Sequence, residues 1–202
     1  MLEPILSYLS LITSKEDPMG KYCITLLAGA FLLLLSIAPR VSGQAELSVS
    51  GGFLLPGEAY VEEFDFYPDI DLSPMVSLSY DSYQISSLGF GVFLNAASLS
   101  VEGEGGTMIT LGGAVKPRWM VGAAKDLTLD IGLGIGYRSV SSDEFEDSIQ
   151  GLALNCLIEL TKPMTTHDLI FSLGFISQPT GGNEDITVTW APIFHLGVGI
   201  SF

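Results

Sequence analysis

The sequence predicts an all-β fold, an eight-stranded antiparallel transmembrane β-barrel spanning residues 46–202. Three observations carry that prediction. Apolar residues recur at every second position in eight separate stretches, the signature of strands with one apolar and one polar face. No stretch of this region holds a helical period. The face opposite the apolar one is rich in glycine, which a narrow barrel interior accommodates and a solvent-facing strand does not reward.

Each segment follows the same grammar. ELSVSGGFL places Leu47, Val49 and Phe53 on one face, and LSPMVSLSY places Leu72, Val76, Leu78 and Tyr80. SSLGFGVFL carries Leu88, Phe90, Val92 and Leu94; MITLGGAVKPRWMV carries Ile109, Leu111, Val115, Trp119 and Val121. The fifth, DLTLDIGLGIGYRS, alternates Leu127, Leu129, Ile131, Leu133, Ile135 and Tyr137 with Thr128, Asp130, Gly132, Gly134, Gly136 and Arg138. GLALNCLIEL and HDLIFSLGFI follow, with Leu152, Leu154, Cys156, Ile158 and Leu160, then Leu169, Phe171, Leu173 and Phe175. The last is APIFHLGVGISF, with Phe194, Leu196, Val198, Ile200 and Phe202 apolar, and Trp190 just before it. A segment of about 9 to 12 residues suits a tilted strand crossing a hydrocarbon core. An even number of such strands closes without an unpaired edge.

Upstream, residues 19–45 have the parts of a secretory signal peptide. Lys21 gives a positive start, an apolar run extends from Cys23 to Ala38, and Ser42, Gly43 and Ala45 are small. An uncleaved anchor is the alternative. Met19 reads as the translation start, which leaves residues 1–18 as a non-translated or disordered extension. A formal net charge of -15 excludes nucleic-acid binding driven by phosphate neutralisation. Cys156 is the one thiol downstream of the signal, so a disulfide framework or zinc cluster is excluded. No pattern points to a cofactor.

The connections alternate in length. Long ones cover residues 55–71, 96–106, 139–148 and 177–187; short ones cover 81–84, 123–126 and 162–167. This asymmetry, the eight amphipathic strands and the aromatic ending resemble the small bacterial outer-membrane β-barrels of OmpW/OprG-like or OmpX/OmpA-like type. The resemblance implies the outer membrane of a Gram-negative-type envelope, reached through the inner membrane after signal cleavage. It also implies insertion by the barrel-assembly machinery with periplasmic chaperones. Phe194, Leu196, Val198, Ile200 and Phe202 resemble the assembly signal. The function implied is porin-like passage of small hydrophobic or other small solutes. The alternative is a non-transporting surface barrel whose loops bind a host or envelope partner. Closure of all strands favours a monomer.

The polar faces give an expected luminal network of Lys116, Arg118, Asp130, Arg138, Asn155, Glu159 and His195. In a low-dielectric interior these groups should pair. They form a salt-bridge plug or, alternatively, a selectivity element in a narrow channel. Lys116 and Arg118 stand two apart on the inward face, beside Asp130 of the next segment. The long loops are acidic: Glu58, Glu62, Glu63, Asp65, Asp69, Asp143, Glu144, Glu146 and Asp147 belong to them. Divalent-cation binding is conceivable, but no EF-hand spacing occurs, and a solvated rim is the plainer reading. Phe64, Phe66 and Tyr67 sit among these carboxylates; they read as part of an outer aromatic girdle with Trp119, Tyr137, Trp190 and Tyr80. An enzyme is not expected. Ser172 and His195 could pair, with Glu159 as orienter, but a lone luminal histidine is more often a hydrogen-bonded filler.

Overall fold

In a computed structural model, residues 44–85, 87–101, 104–123, 126–142, 148–183 and 186–202 are described. The signal-peptide segment, apart from Gln44 and Ala45, lies outside them, as do Asp143, Glu144, Glu146 and Asp147.

Ten strands run in chain order: β1 Gln44–Leu54, β2 Gly57–Val61, β3 Asp69–Ile70, β4 Ser73–Ile85, β5 Leu88–Val101, β6 Glu104–Val121, β7 Leu127–Ser142, β8 Ile149–Pro163, β9 Asp168–Gly182 and β10 Val188–Ser201. The eight long ones pair antiparallel with their neighbours. β10 pairs with β1 from Ser48↔Ser201 to Leu54↔His195, so the sheet closes into a barrel. The terminal residue joins this seam: Phe202 N–H donates to Leu47 O at 2.9 Å, and Leu47 N–H donates to Phe202 O.

The strands are longer than the sequence suggests. β6 has 18 residues and β7 has 16, against the 9 to 11 a tilted strand needs to cross hydrocarbon. The reason lies in the connections. Residues 96–101 and 104–106 are not loop but strand, paired from Ala96↔Ile109 to Val101↔Glu104. Residues 139–142 and 177–182 likewise extend β7 and β9. The segment 81–84 also belongs to a strand, since β4 continues to Ile85.

β2 and β3 come from the first long connection and are built into the wall. Trp190 of β10 pairs with Ala59 of β2, β2 pairs with β3, and Ile70 of β3 pairs with Val101 of β5. At the end bearing the long connections, the wall therefore runs β10–β2–β3–β5, above the point where β1 and β4 stop.

The alternating apolar residues picked out in the eight segments point outward. Phe53, Val76, Phe90, Val115, Leu133, Ile135, Phe171, Leu173, Phe194 and Val198 are all exposed on the outer wall. A continuous apolar exterior of this kind suits lipid, not water. The inward glycines make room for an aromatic ring. Phe93 is buried inside, and a Cβ on Gly134 would stand 2.8 Å from its ring and one on Gly112 2.6 Å.

Candidate functional site: a lumen in two layers

The lumen near the short turns is ionic. Arg118 of β6 reaches two carboxylates at once. Its Nη1 and Nη2 donate to Glu46 of β1 at 2.6 and 2.7 Å, and its Nε and Nη2 donate to Asp130 of β7 at 2.8 Å each. Tyr83 of β4 donates to Asp130 Oδ2 at 3.2 Å, and its ring centre lies 3.5 Å from the guanidinium carbon. Beside this cluster, Lys116 Nζ lies 2.7 Å from both Asp81 Oδ2 of β4 and Glu159 Oε2 of β8. Fork-to-fork pairs of this type are geometrically selective. The pairs Arg118–Glu46 and Lys116–Asp81 cross the lumen between strands that are not neighbours in the sheet.

The layer toward the long connections is apolar. Leu54, Met75, Leu99, Met108, Val140, Ile149, Ile176 and Ile193 are buried together, with Ile70 of β3 and Val188 and Trp190 of β10. The alternation of small or polar inward residues fails here, because large apolar side chains turn inward.

Between the layers lies a cavity of about 40 Å³ whose lining includes Ser48, Ser77, Asn95, Asn155, Ser172 and His195. It has room for a few water molecules. Ser172 and His195 both face it, but neither ring nitrogen of His195 has a hydrogen-bond partner. Glu159 is held by Lys116 instead, so no nucleophile–base–orienter chain is assembled.

The sequence-predicted luminal residues thus fall into three groups. Lys116, Arg118, Asp130 and Glu159 meet in the ionic layer, with Lys116 turned to Asp81 and Glu159, so that of the two cations Arg118 alone bonds Asp130. Asn155 and His195 line the cavity. Arg138 does not join the network. It lies eight residues beyond Asp130 along β7, about 26 Å away in an extended chain, and it sits in the apolar layer, where its Nε donates to Thr110 at 3.3 Å. Sequence reasoning missed Glu46, Asp81 and Tyr83. The alternation does contain them, since Glu46 precedes outward Leu47 and Asp81 follows outward Tyr80.

Trp190 requires a correction. It is 4% exposed and faces inward, not into the lipid girdle. The cause is a β-bulge: between Ile176↔Ile193 and Gln178↔Trp190, β10 holds one residue more than β9. An extra residue reverses the faces of everything beyond it, and Pro192, which lacks an N–H, is tolerated at such a break. Trp119 and Tyr137 do face outward.

The acidic rim residues that are described belong to the ribbon. Glu58 and Asp69 pair across β2 and β3, and Glu62 and Glu63 lie in a short 3-10 turn. Asp65 caps that turn with φ 45°, in the left-handed region where aspartate is among the better-tolerated residues. Glu63 accepts from the Thr187 N–H at 2.7 Å, which holds its carboxyl below the usual carboxylate range. Phe64, Phe66 and Tyr67 are exposed on this ribbon.

The closed barrel can be compared with known proteins. No protein-family profile matches the chain, and no curated protein matches it in sequence. Among solved structures, Neisserial surface protein A matches with a TM-score of 0.55 at 12% identity, over 78% of this chain and 95% of its own. The fold is that of the small outer-membrane β-barrels. Two further barrels align less well in space. The N-terminal β-barrel domain of Pseudomonas aeruginosa OprF is 14% identical, with 80% and 100% of the two chains covered and a TM-score of 0.42. Ail, the attachment invasion locus protein of Yersinia pestis, solved in complex with the heparin analogue sucrose octasulfate, is 17% identical, with 79% and 99% covered and a TM-score of 0.41.

Proposed function

We propose that this chain is a cell-surface protein of the outer membrane, a closed monomeric barrel that presents the β2–β3 ribbon outside and conducts no solute. The observation that carries this reading is the double filling of the lumen. Ion pairs cross one layer, buried apolar side chains crowd the other, and a cavity of about 40 Å³ lies between them. The ribbon supplies the working surface. Phe64, Phe66 and Tyr67 are exposed among Glu58, Glu62, Asp65 and Asp69, a combination that fits a basic partner with some apolar surface. Residues 19–45 serve as the export signal in this reading, and the assembly machinery recognises the terminal strand. N-terminal sequencing of the mature protein checks the cleavage.

Planar-bilayer recording of the refolded barrel tests the central statement. Electrical silence is expected. Discrete conductance steps would overturn it in favour of porin-like passage of small solutes, which requires both layers to move.

A further inference from the structure

Among the described residues Arg138 is the one luminal cation in the apolar layer, and it is 1% exposed. It takes part in none of the ion pairs among the described residues, and both of its Nη atoms lack a hydrogen-bond partner. An unpaired guanidinium in such surroundings costs several kcal/mol. Thr110 takes only its Nε, and the Trp190 ring offers a cation–π contact but no counter-charge. Its guanidinium carbon lies 5.0 Å from the Trp190 ring centre. The indole Nε1 of Trp190 and both amide atoms of Gln178 are also without partners, and Gln178 is fully buried. Gln178 and Trp190 are register partners on adjacent strands.

Trp190 owes its placement to an irregularity, and Gln178, inward by plain alternation, stands beside another. Trp190 is turned inward by the bulge at Ala191 and Pro192. On the other side of β9, the pairing slips again, between Leu152↔Thr180 and Leu154↔Ser177, beside Gln178. Bulges re-aim side chains, and they concentrate next to functional sites. Gly181 then lets Gln178 lie against the wall, since a Cβ there would collide with the amide. Two breaks in the ladder converge to gather three unsatisfied polar groups.

We propose that Arg138, Gln178 and Trp190 form a binding site for a small carboxylate with an apolar body. The two Nη atoms match the two oxygens of a carboxylate in fork geometry. Gln178 Nε2 and Trp190 Nε1 are further donors, and Gln178 Oε1 accepts from a hydroxyl on the ligand. Met108, Val140, Ile149, Ile176 and Ile193 supply the apolar surroundings. The site lies at the outer end, where Ala59 of β2 pairs with Trp190, so the ribbon borders it.

The test uses the full barrel, refolded in nanodiscs, in the Trp119→Phe variant, which leaves Trp190 as the only tryptophan. Hexanoate is titrated while Trp190 emission is read, with hexanol and chloride as controls. A saturable change is expected with hexanoate and none with hexanol. Arg138→Met weakens the response at least about tenfold, and Gln178→Leu weakens it severalfold in a barrel whose folding is checked by its gel mobility. No saturable response to hexanoate overturns the proposal. An equal response to hexanol shows plain partitioning and overturns it, and competition by equimolar chloride reduces the site to a halide site. If Arg138→Met does not fold, an unchanged response in Gln178→Leu is the overturning result.

Discussion

The two layers of the lumen solve the same problem in opposite ways. Near the short turns, side chains from β1, β4, β6, β7 and β8 meet as charges, and each cation is shared between two carboxylates. Near the long connections, apolar side chains pack, and the single charge among them has no carboxylate. The first arrangement depends on direction and distance, so it specifies which strands face each other across the barrel. The second depends on volume, and two of the three breaks in the ladder lie there, the third being at the turn end of β4 and β5, beside Tyr83.

Substitutions of the two arginines should separate the layers most sharply. Arg118→Met strands Glu46 and Asp130 in the interior and is expected to cost about 3–5 kcal/mol, read from urea unfolding of the refolded barrel. Arg138→Met removes a charge that has no partner, so its unfolding midpoint should equal or exceed that of the parent. Equal losses in the two variants would erase the distinction. In the apolar layer, Ile193→Ala opens a cavity and should cost about 2–4 kcal/mol, measured in the same way. Where the inward glycines make room for Phe93, Gly134→Leu drives a side chain into that ring, and overpacking of about 1–3 kcal/mol is expected. A variant as stable as the parent would show that the glycine is dispensable there.

The smallest effect belongs to the ribbon. The Glu63 carboxyl is held below its ordinary value by the Thr187 N–H. Its contribution is therefore complete above the ordinary carboxylate value and is lost as pH falls through the lowered one. The Thr187 amide resonance should titrate with a midpoint below that of a free glutamate, and the titration should vanish in Glu63→Gln.

The sequence makes one layer readable and conceals the other. Alternation places every outward apolar residue from Leu47 to Phe202, and it turns Lys116, Arg118, Asp130 and Glu159 toward one another. That works because a strand's period of two is local and unbroken there. Asp81 and Tyr83 escape notice only because a polar stretch at a strand end looks like a turn. Trp190 could not be placed by parity, since its direction depends on a bulge one residue away. The β2–β3 ribbon is equally hidden. β3 is two residues long and becomes a strand only by pairing with β2 on one side and with Val101 of β5 on the other, so no local period announces it.

That ribbon also divides the outer surface into regions with different freedom to evolve. The connections after β5, β7 and β9 each join two strands already paired with each other, so a change of length there leaves the wall intact. The connection after β1 is itself wall, from Gly57 to Ile70. An insertion among its paired residues, Gly57–Val61 and Asp69–Ile70, parts β10 from β5. Sequence drift and engineered tags should therefore accumulate at the connections after β5, β7 and β9 and at the β2–β3 turn, with the paired residues of the ribbon held to length and register.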